Sequence, residues 1–321
     1  MAPKGWLDIH AHFFFPSSPE DAEGLAESLR KGCFMVSGPV TWNAESILEY
    51  NDRAGIQMQM LSYIPPDLRK LREATDHGAS LVAKYPTRFG LLAGLSTDNP
   101  EACLQEIKRT SEFAIPPDGF AVTTVYNGVG LGDARLEPIW HKLNAMRAVV
   151  HIHPNAYAGP TDGRPSPLIE VAFDTARTVV DMLYAGVLRR HSDIRFVLGH
   201  CGGALPALSG RLLLLGTQDW IPNPNSITPA EIKIQLGRLL VDTAATAKTG
   251  LSPAVEMVGI DHVVYGSDCG VPCSNETTME ENKNDVKEFE RNAGVEEGCI
   301  GRNGWSMFPA AALRVEQSRH E

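Results

Sequence analysis

Two histidines close the first strand-like run of the chain, Trp6-Leu7-Asp8-Ile9-His10-Ala11-His12. Side chains of an extended strand alternate between faces, so His10 and His12 point the same way. Two imidazoles on one face cost desolvation unless something binds them, and a divalent metal ion is the most economical partner. A pair of surface or hydrogen-bonded histidines is the plainer alternative, because a short His-x-His pattern arises often by chance. Other runs bear on the choice. His153 lies at the end of AVVHIHP (148–154), His200 at the end of RFVLGHC (195–201) and Asp268 at the end of HVVYGSD (262–268). His10, His12 and His153 offer three nitrogens and Asp268 one oxygen. That set suits one zinc ion, with manganese as a second candidate, and leaves a position for water or substrate. His200 reads either as a further ligand or as a free acid/base. Gly202 and Gly203 beside it, where backbone can approach a ligand closely, suit a residue facing substrate. His151, on the same face as His153 but one layer deeper, reads as structural. Neither 119–125 nor 148–154 contains a lysine that could, once carboxylated, bridge a second metal, so one ion per chain is expected.

Residues so far apart meet only if the fold gathers strand ends. Eight strand-like runs can be counted, at 6–12, 56–63, 89–95, 119–125, 148–154, 195–201, 239–245 and 262–268. Between them lie helical patterns such as 43–55, 68–85 and 173–190. Strand alternating with helix eight times predicts an α/β fold, a (β/α)8 TIM barrel, in which chemistry collects at the C-terminal strand ends. No Pro/Ser-rich linker divides residues 1–321, so a single domain is expected, with long loops at 13–42 and 201–238 on the catalytic face. An open doubly wound sheet is the runner-up, but no G-x-G-x-x-G follows the first run.

The bulk numbers narrow the function. A formal net charge of −10 with no basic run argues against nucleic acid or an anionic membrane surface as partner. No apolar run is long enough to span a bilayer, and the N-terminal residues lack the apolar segment of a secretory signal. Six cysteines without framework spacing suit reduced thiols, hence the cytosol.

The motifs DIHAHFFFP, DRAGIQMQMLSYIPP, VVHIHP, FDTARTVVDMLYAGVL, RRHSDIRFVLGHCGGALPAL, VVYGSDCGVP and NGWSMFP run through nearly the whole chain. Together they resemble the amidohydrolase superfamily and, within it, the aminocarboxymuconate-semialdehyde decarboxylase family. The resemblance implies an amidohydrolase-type barrel, one divalent metal, non-oxidative decarboxylation and a homodimer. It implies His10, His12, His153 and Asp268 as metal ligands and His200 as acid/base. Asp268 beside the metal is a candidate proton donor. The resemblance further implies that Arg211, eleven residues after His200, reaches the partner subunit's site to hold a carboxylate; a solvated helix arginine is the alternative. A second arginine of the semialdehyde branch has no counterpart in SGPVTWNAE, which speaks against a dicarboxylate. Apolar Phe13 to Phe15 and Trp42 near the entrance suit a small aromatic monocarboxylate, with Phe13 and Trp42 expected to contact it. Among the branches, the chain looks like those acting on 6-methylsalicylate to give m-cresol and carbon dioxide. Metal-dependent hydrolysis of an amide or lactone is the competing reading, since the same site can activate water.

Overall fold

Helix caps and strand runs alternate along the chain much as its periodicity predicts. The structure is a computed structural model that describes residues 3–36, 38–155 and 162–318. Asn43, Asp67 and Asn99 each cap a helix N-terminus, accepting from the backbone N–H three residues on. They start α2 (Ala44–Ala54), α3 (Leu68–Lys84) and α4 (Pro100–Ser111), which follow α1 (Pro19–Lys31). The parallel strands are β1 (Trp6–His12), β2 (Ile56–Ser62), β3 (Phe89–Gly94), β4 (Gly119–Thr123), β7 (Val149–His153), β8 (Arg195–Leu198), β9 (Leu240–Asp242) and β10 (Val263–Val264). They pair in the order β1-β2-β3-β4-β7-β8-β9-β10. The ring closes where Ile9 N donates to Tyr265 O at 3.0 Å, Asp268 N to His10 O at 2.9 Å and His12 N to Cys269 O at 2.7 Å. This is the expected (β/α)8 barrel. An unanticipated antiparallel hairpin, β5 (Val125–Tyr126) and β6 (Val129–Gly130), follows β4. Its turn is Asn127-Gly128, both at positive φ, as a two-residue hairpin requires.

The barrel carries two apolar layers. Leu7, Ile9, Met58, Met60, Leu92, Ala121, Val149, Val197 and Val264 fill its interior and pack on Trp305, Met307 and Phe308. Trp305 Nε1 donates to Gly5 O at 2.9 Å and Arg195 donates to Ser306 O at 3.1 Å, so this C-terminal segment plugs the end where strands begin. A second, larger cluster joins the outward strand residues, Phe89, Val150 and Phe196 among them, to the helices. Strict alternation along β1 fails at one place. Leu7 and Ile9 face inward, yet so do His10 and His12, because the register against β2 is irregular between Asp8 and Ala11. Asp8 therefore lies on the other side of the wall, where it accepts from Gln59 Nε2 at 2.8 Å and Ser267 Oγ at 2.6 Å.

The long segments are built rather than loose. Residues 13–42 contain α1, and 201–238 contain α8 (Leu205–Leu215) and α9 (Pro229–Gly237). The helical pattern at 173–190 is two helices, α6 (Ser166–Tyr184) and α7 (Val187–Arg190), broken at Gly186 with φ 76°. The others are α5 (Glu137–Ala145), α10 (Ala247–Val258), α11 (Glu276–Ala293), α12 (Cys299–Asn303) and α13 (Pro309–Gln317). Among the described residues, no helix is long and apolar enough to cross a membrane.

Gly266 lets the closing strand approach. A Cβ there would lie 2.8 Å from His10 Cβ and 3.0 Å from Asp242 Cβ, neither of which can swing away. Gly266→Ala is expected to cost about 1–3 kcal/mol in urea unfolding, the range for overpacking a tight core. A variant as stable as the parent would show that β1 and β9 have slack here.

Candidate metal centre and active-site cavity

The ligand atoms of His10, His12, His153 and Asp268 converge within 4.8 Å of one another at the C-terminal end of the barrel. His10 and His12 come from β1, His153 from β7, and Asp268 from the turn after β10. Each histidine is oriented through Nδ1. His10 Nδ1–H donates to Asp242 Oδ2 at 2.8 Å, His12 Nδ1–H to Ser62 O at 3.3 Å and His153 Nδ1–H to Pro154 O at 2.8 Å. With Nδ1 as donor, each Nε2 faces the centre; His12 and His153 offer a lone pair there directly, and His10 does so once the proton it carries has left. His10 Nε2 lies 3.1 Å from His12 Nε2 and 3.2 Å from Asp268 Oδ1, while Asp268 Oδ1 is 3.3 Å from His12 Nε2. Ligand bonds of about 2.0–2.2 Å set at tetrahedral angles give separations of this order. His153 Nε2 and Asp268 Oδ1 are buried and have no hydrogen-bond partner. The donor set thus fits a divalent ion.

Charge supports the same fit. Burial alone lowers the His10 pKa, but the carboxylates of Asp242 and Asp268 outweigh it and lift the group to about 10. Burial lowers His12. Burial, together with His12, His10 and His200, pushes His153 well below the ordinary histidine range. Burial raises Asp268, yet His10, His12 and His200 hold it well below the usual carboxylate range. Two neutral imidazoles and a carboxylate are what a cation needs, and the cluster draws positive charge to the His10–Asp268 contact.

Asp242 went unread in the sequence and organises the site. Its Oδ2 accepts from His10 and from His151 Nε2 at 2.9 Å. Its Oδ1 accepts from the backbone N–H of His200 at 2.9 Å and of Ala244 at 3.0 Å. The available signal was a lone carboxylate in the middle of the otherwise uncharged 239–245 run, where the structure ends β9. His151 is structural in the sense that it faces Asp242 in the deeper layer. His200 sits in the left-handed region, φ 58°, held by that bond to Asp242. Its Nε2 is 3.6 Å from Asp268 Oδ2 and its buried Nδ1 has no partner.

Beside His12 and His153 opens a cavity of about 360 Å³. Phe14, Phe34, Ile64, Val125 and Val271 supply apolar wall, and Tyr63, Thr123 and Asn155 polar groups. Among the described residues no lysine or arginine lines it. Phe14 takes the place expected for Phe13: it packs on Tyr63, ring centroids 5.2 Å apart, at the wall. Phe13 is 1% exposed and seated against α3, where Gly78 leaves room beside Leu91. Trp42 packs between Phe13 and Phe89 in the same core and does not reach the cavity. Arg211 is exposed on α8. It lies along a separate apolar groove with Phe173, Tyr184, Leu208, Leu212 and Trp220, outside its own chain's site.

An amidohydrolase family model matches residues 7–292. The chain is 28% identical over 346 residues to the decarboxylase macB of Penicillium terrestre, covering 98% of this chain and 97% of that one. It is 26% identical over 283 residues to the 6-methylsalicylic acid decarboxylase of Penicillium expansum, covering 82% and 84%. A dihydroxybenzoic acid decarboxylase from Polaromonas sp., solved with bound manganese and an inhibitor, shares the fold at a TM-score of 0.74 and 20% identity over 96% of this chain and 97% of that one.

Asp242→Asn keeps the side-chain volume but replaces one acceptor oxygen with a donor. Metal affinity should fall about 10–100-fold, as for other partners of ligating histidines. The sign of its pH dependence follows from His10. A proton held to about 10 in the folded protein must leave when a metal binds Nε2, so affinity rises with pH through the neutral and mildly alkaline range. Titrations in buffers of differing ionisation enthalpy measure that proton release, which should shrink in Asp242→Asn.

Proposed function

The chain belongs to the amidohydrolase family, and on that premise we propose that it is a divalent-metal-dependent carboxy-lyase acting on a small ortho-hydroxy aromatic carboxylic acid. The observation that carries the reading is the pairing of a three-histidine, one-carboxylate centre with an apolar cavity that, among the described residues, no lysine or arginine lines. Such a cavity accepts a ring and leaves one anionic group to be answered at the centre. Relatives named as decarboxylases, one of them for 6-methylsalicylic acid, support the reaction class and a best substrate of 6-methylsalicylate, giving m-cresol.

His10, His12, His153 and Asp268 would hold one ion. Zinc is preferred for the nitrogen-rich set; manganese is the ion bound in the Polaromonas structure. When bound, the ion supplies Lewis acidity that orients the carboxylate and ortho oxygen and neutralises their charge. The chain's own residues handle the proton. Decarboxylation replaces carbon dioxide by hydrogen at one ring carbon: a proton adds there, the carbon–carboxylate bond breaks, and its electron pair restores aromaticity. Asp268, ionised at rest, is the proposed donor once it has taken up a proton relayed from solvent through His200, 3.6 Å from it; His200 is otherwise the group that holds the phenol oxygen. Phe14, Ile64 and Val271 keep water from the ring.

Arg211 and the groove around it are proposed as a homodimer contact, the guanidinium supporting the partner's site. Phe173, Leu208 and Trp220 stand exposed there. The six cysteines are free, which suits the cytosol.

Purified protein loaded with zinc or manganese and given a panel of ortho-hydroxybenzoates should release carbon dioxide. His200→Ala should keep its metal and lose about 10²–10⁴-fold in rate. Turnover of amide or lactone substrates without carbon dioxide release would replace this reading by hydrolysis. A second expectation concerns the interface: mixing inactive His200→Ala chains with Arg211→Ala chains should restore activity in mixed dimers. No recovery in verified mixed dimers would remove Arg211 from the partner's site.

A further inference from the structure

His10 is oriented by a buried carboxylate, His12 by a carbonyl inside a strand ladder. His153 differs: its Nδ1–H donates to the carbonyl of the residue that follows it, Pro154, at 2.8 Å. That carbonyl lies beyond the strand, so something else must fix it. The peptide unit joining Pro154 to Asn155 is planar, so its C=O and N–H are one rigid body. Its C=O faces His153 and its N–H is held from the other side. Asn155 N donates to Asp174 Oδ2 at 3.0 Å and to Thr124 Oγ1 at 3.0 Å. Thr124 Oγ1 itself donates to Asp174 Oδ2, and Thr124 N donates to His153 O at 3.0 Å. Thr124 is fully buried. Among the described residues Asp174 has no lysine or arginine ion-pair partner. Its carboxylate is directed at this loop, and hydrogen bonds to an ionised acceptor are about twice as strong as neutral ones.

We propose that Asp174, on α6, is a positioning residue for the metal centre, orienting the His153 imidazole through the Pro154–Asn155 peptide, with Thr124 as the second anchor. The arrangement gives His153 what Asp242 gives His10, with one peptide unit interposed. It also sets the cavity wall, because His153, Pro154 and Asn155 all line it. The inference rests on the metal reading of this centre.

The test measures Mn²⁺ affinity by competition with a chelator in wild type, Asp174→Asn, Asp174→Ala and Thr124→Val, each checked for folding by circular dichroism. Asp174→Ala should weaken Mn²⁺ binding by about 10–100-fold, the range for partners that orient ligating histidines. Asp174→Asn keeps one acceptor oxygen and should fall between Ala and wild type, a graded rescue that general loosening would not produce. Thr124→Val keeps the side-chain shape and should weaken binding in the same direction. Arg314→Met, which breaks an ion pair with Asp118 near the end of the barrel remote from the site, is the stability control. Wild-type affinity in folded Asp174→Asn and Thr124→Val overturns the proposal. So does an equal loss of affinity in Arg314→Met. If wild type itself binds no Mn²⁺ or Zn²⁺, the metal reading fails first, and that outcome is distinct from a wild type that binds and Asp174 variants that bind equally well.

Discussion

The Asp242 carboxylate is the contact on which the site is built. It is fully buried, a position no carboxylate occupies at low energy unless each oxygen is answered. Four donors answer it: the His10 and His151 rings on one oxygen and the His200 and Ala244 amides on the other. Those bonds tie β1, β7, the turn after β8 and the end of β9 to one point. They also do chemical work. The bond to His10 Nδ1 selects the tautomer whose Nε2 faces the centre, and the bond to the His200 amide keeps that residue in a left-handed conformation it would otherwise leave. His151 stays neutral beside it, held down to about 4 chiefly by burial and by the charge of His10, so the deeper layer adds a donor without a second cation.

The opening strand shows how backbone irregularity makes room for chemistry. A regular β1 that buries Leu7 and Ile9 in the barrel would turn His10 and His12 to the helix layer. The register shift between Asp8 and Ala11 places Ile9 and His10 on the same side. Apolar packing below and metal-ligating chemistry above can then come from a single strand. Asp8, left on the outer side, takes hydrogen bonds from Gln59 and Ser267 and so fastens β1 to β2 and to the turn that carries Asp268. Burial there raises its pKa to about 6, and the hydrogen bonds only partly offset that cost.

With a net charge of −10, the chain can attract the anionic substrate of the proposed function only locally. The cavity walls supply none of that attraction, since no lysine or arginine lines them among the described residues. In the proposed function that charge comes from the metal and, in the proposed dimer, from the partner's Arg211. Under the proposed function the same division would set selectivity: an apolar wall accepts a ring with alkyl substituents and leaves a second carboxylate without a partner.

Much of this was legible in the sequence. Alternation of strand and helix predicts the barrel, and His10, His12, His153, His200 and Asp268 stand out because a strand end is a local feature that residue type and period reveal together. The helical patterns at 43–55 and 68–85 are local for the same reason. Other features depend on which distant segments meet, and one-dimensional periodicity carries no trace of that. Asp242 and His10 are 232 residues apart in sequence. Phe13 and Phe14 are the same residue type side by side, and only the gap left by Gly78 sends the first into the core while the second faces the cavity. Sequence alone determined which groups could do the chemistry and that strand ends would gather them. Tertiary structure decided which carboxylates would orient them, because that choice lies in packing between strands and helices far apart in the chain.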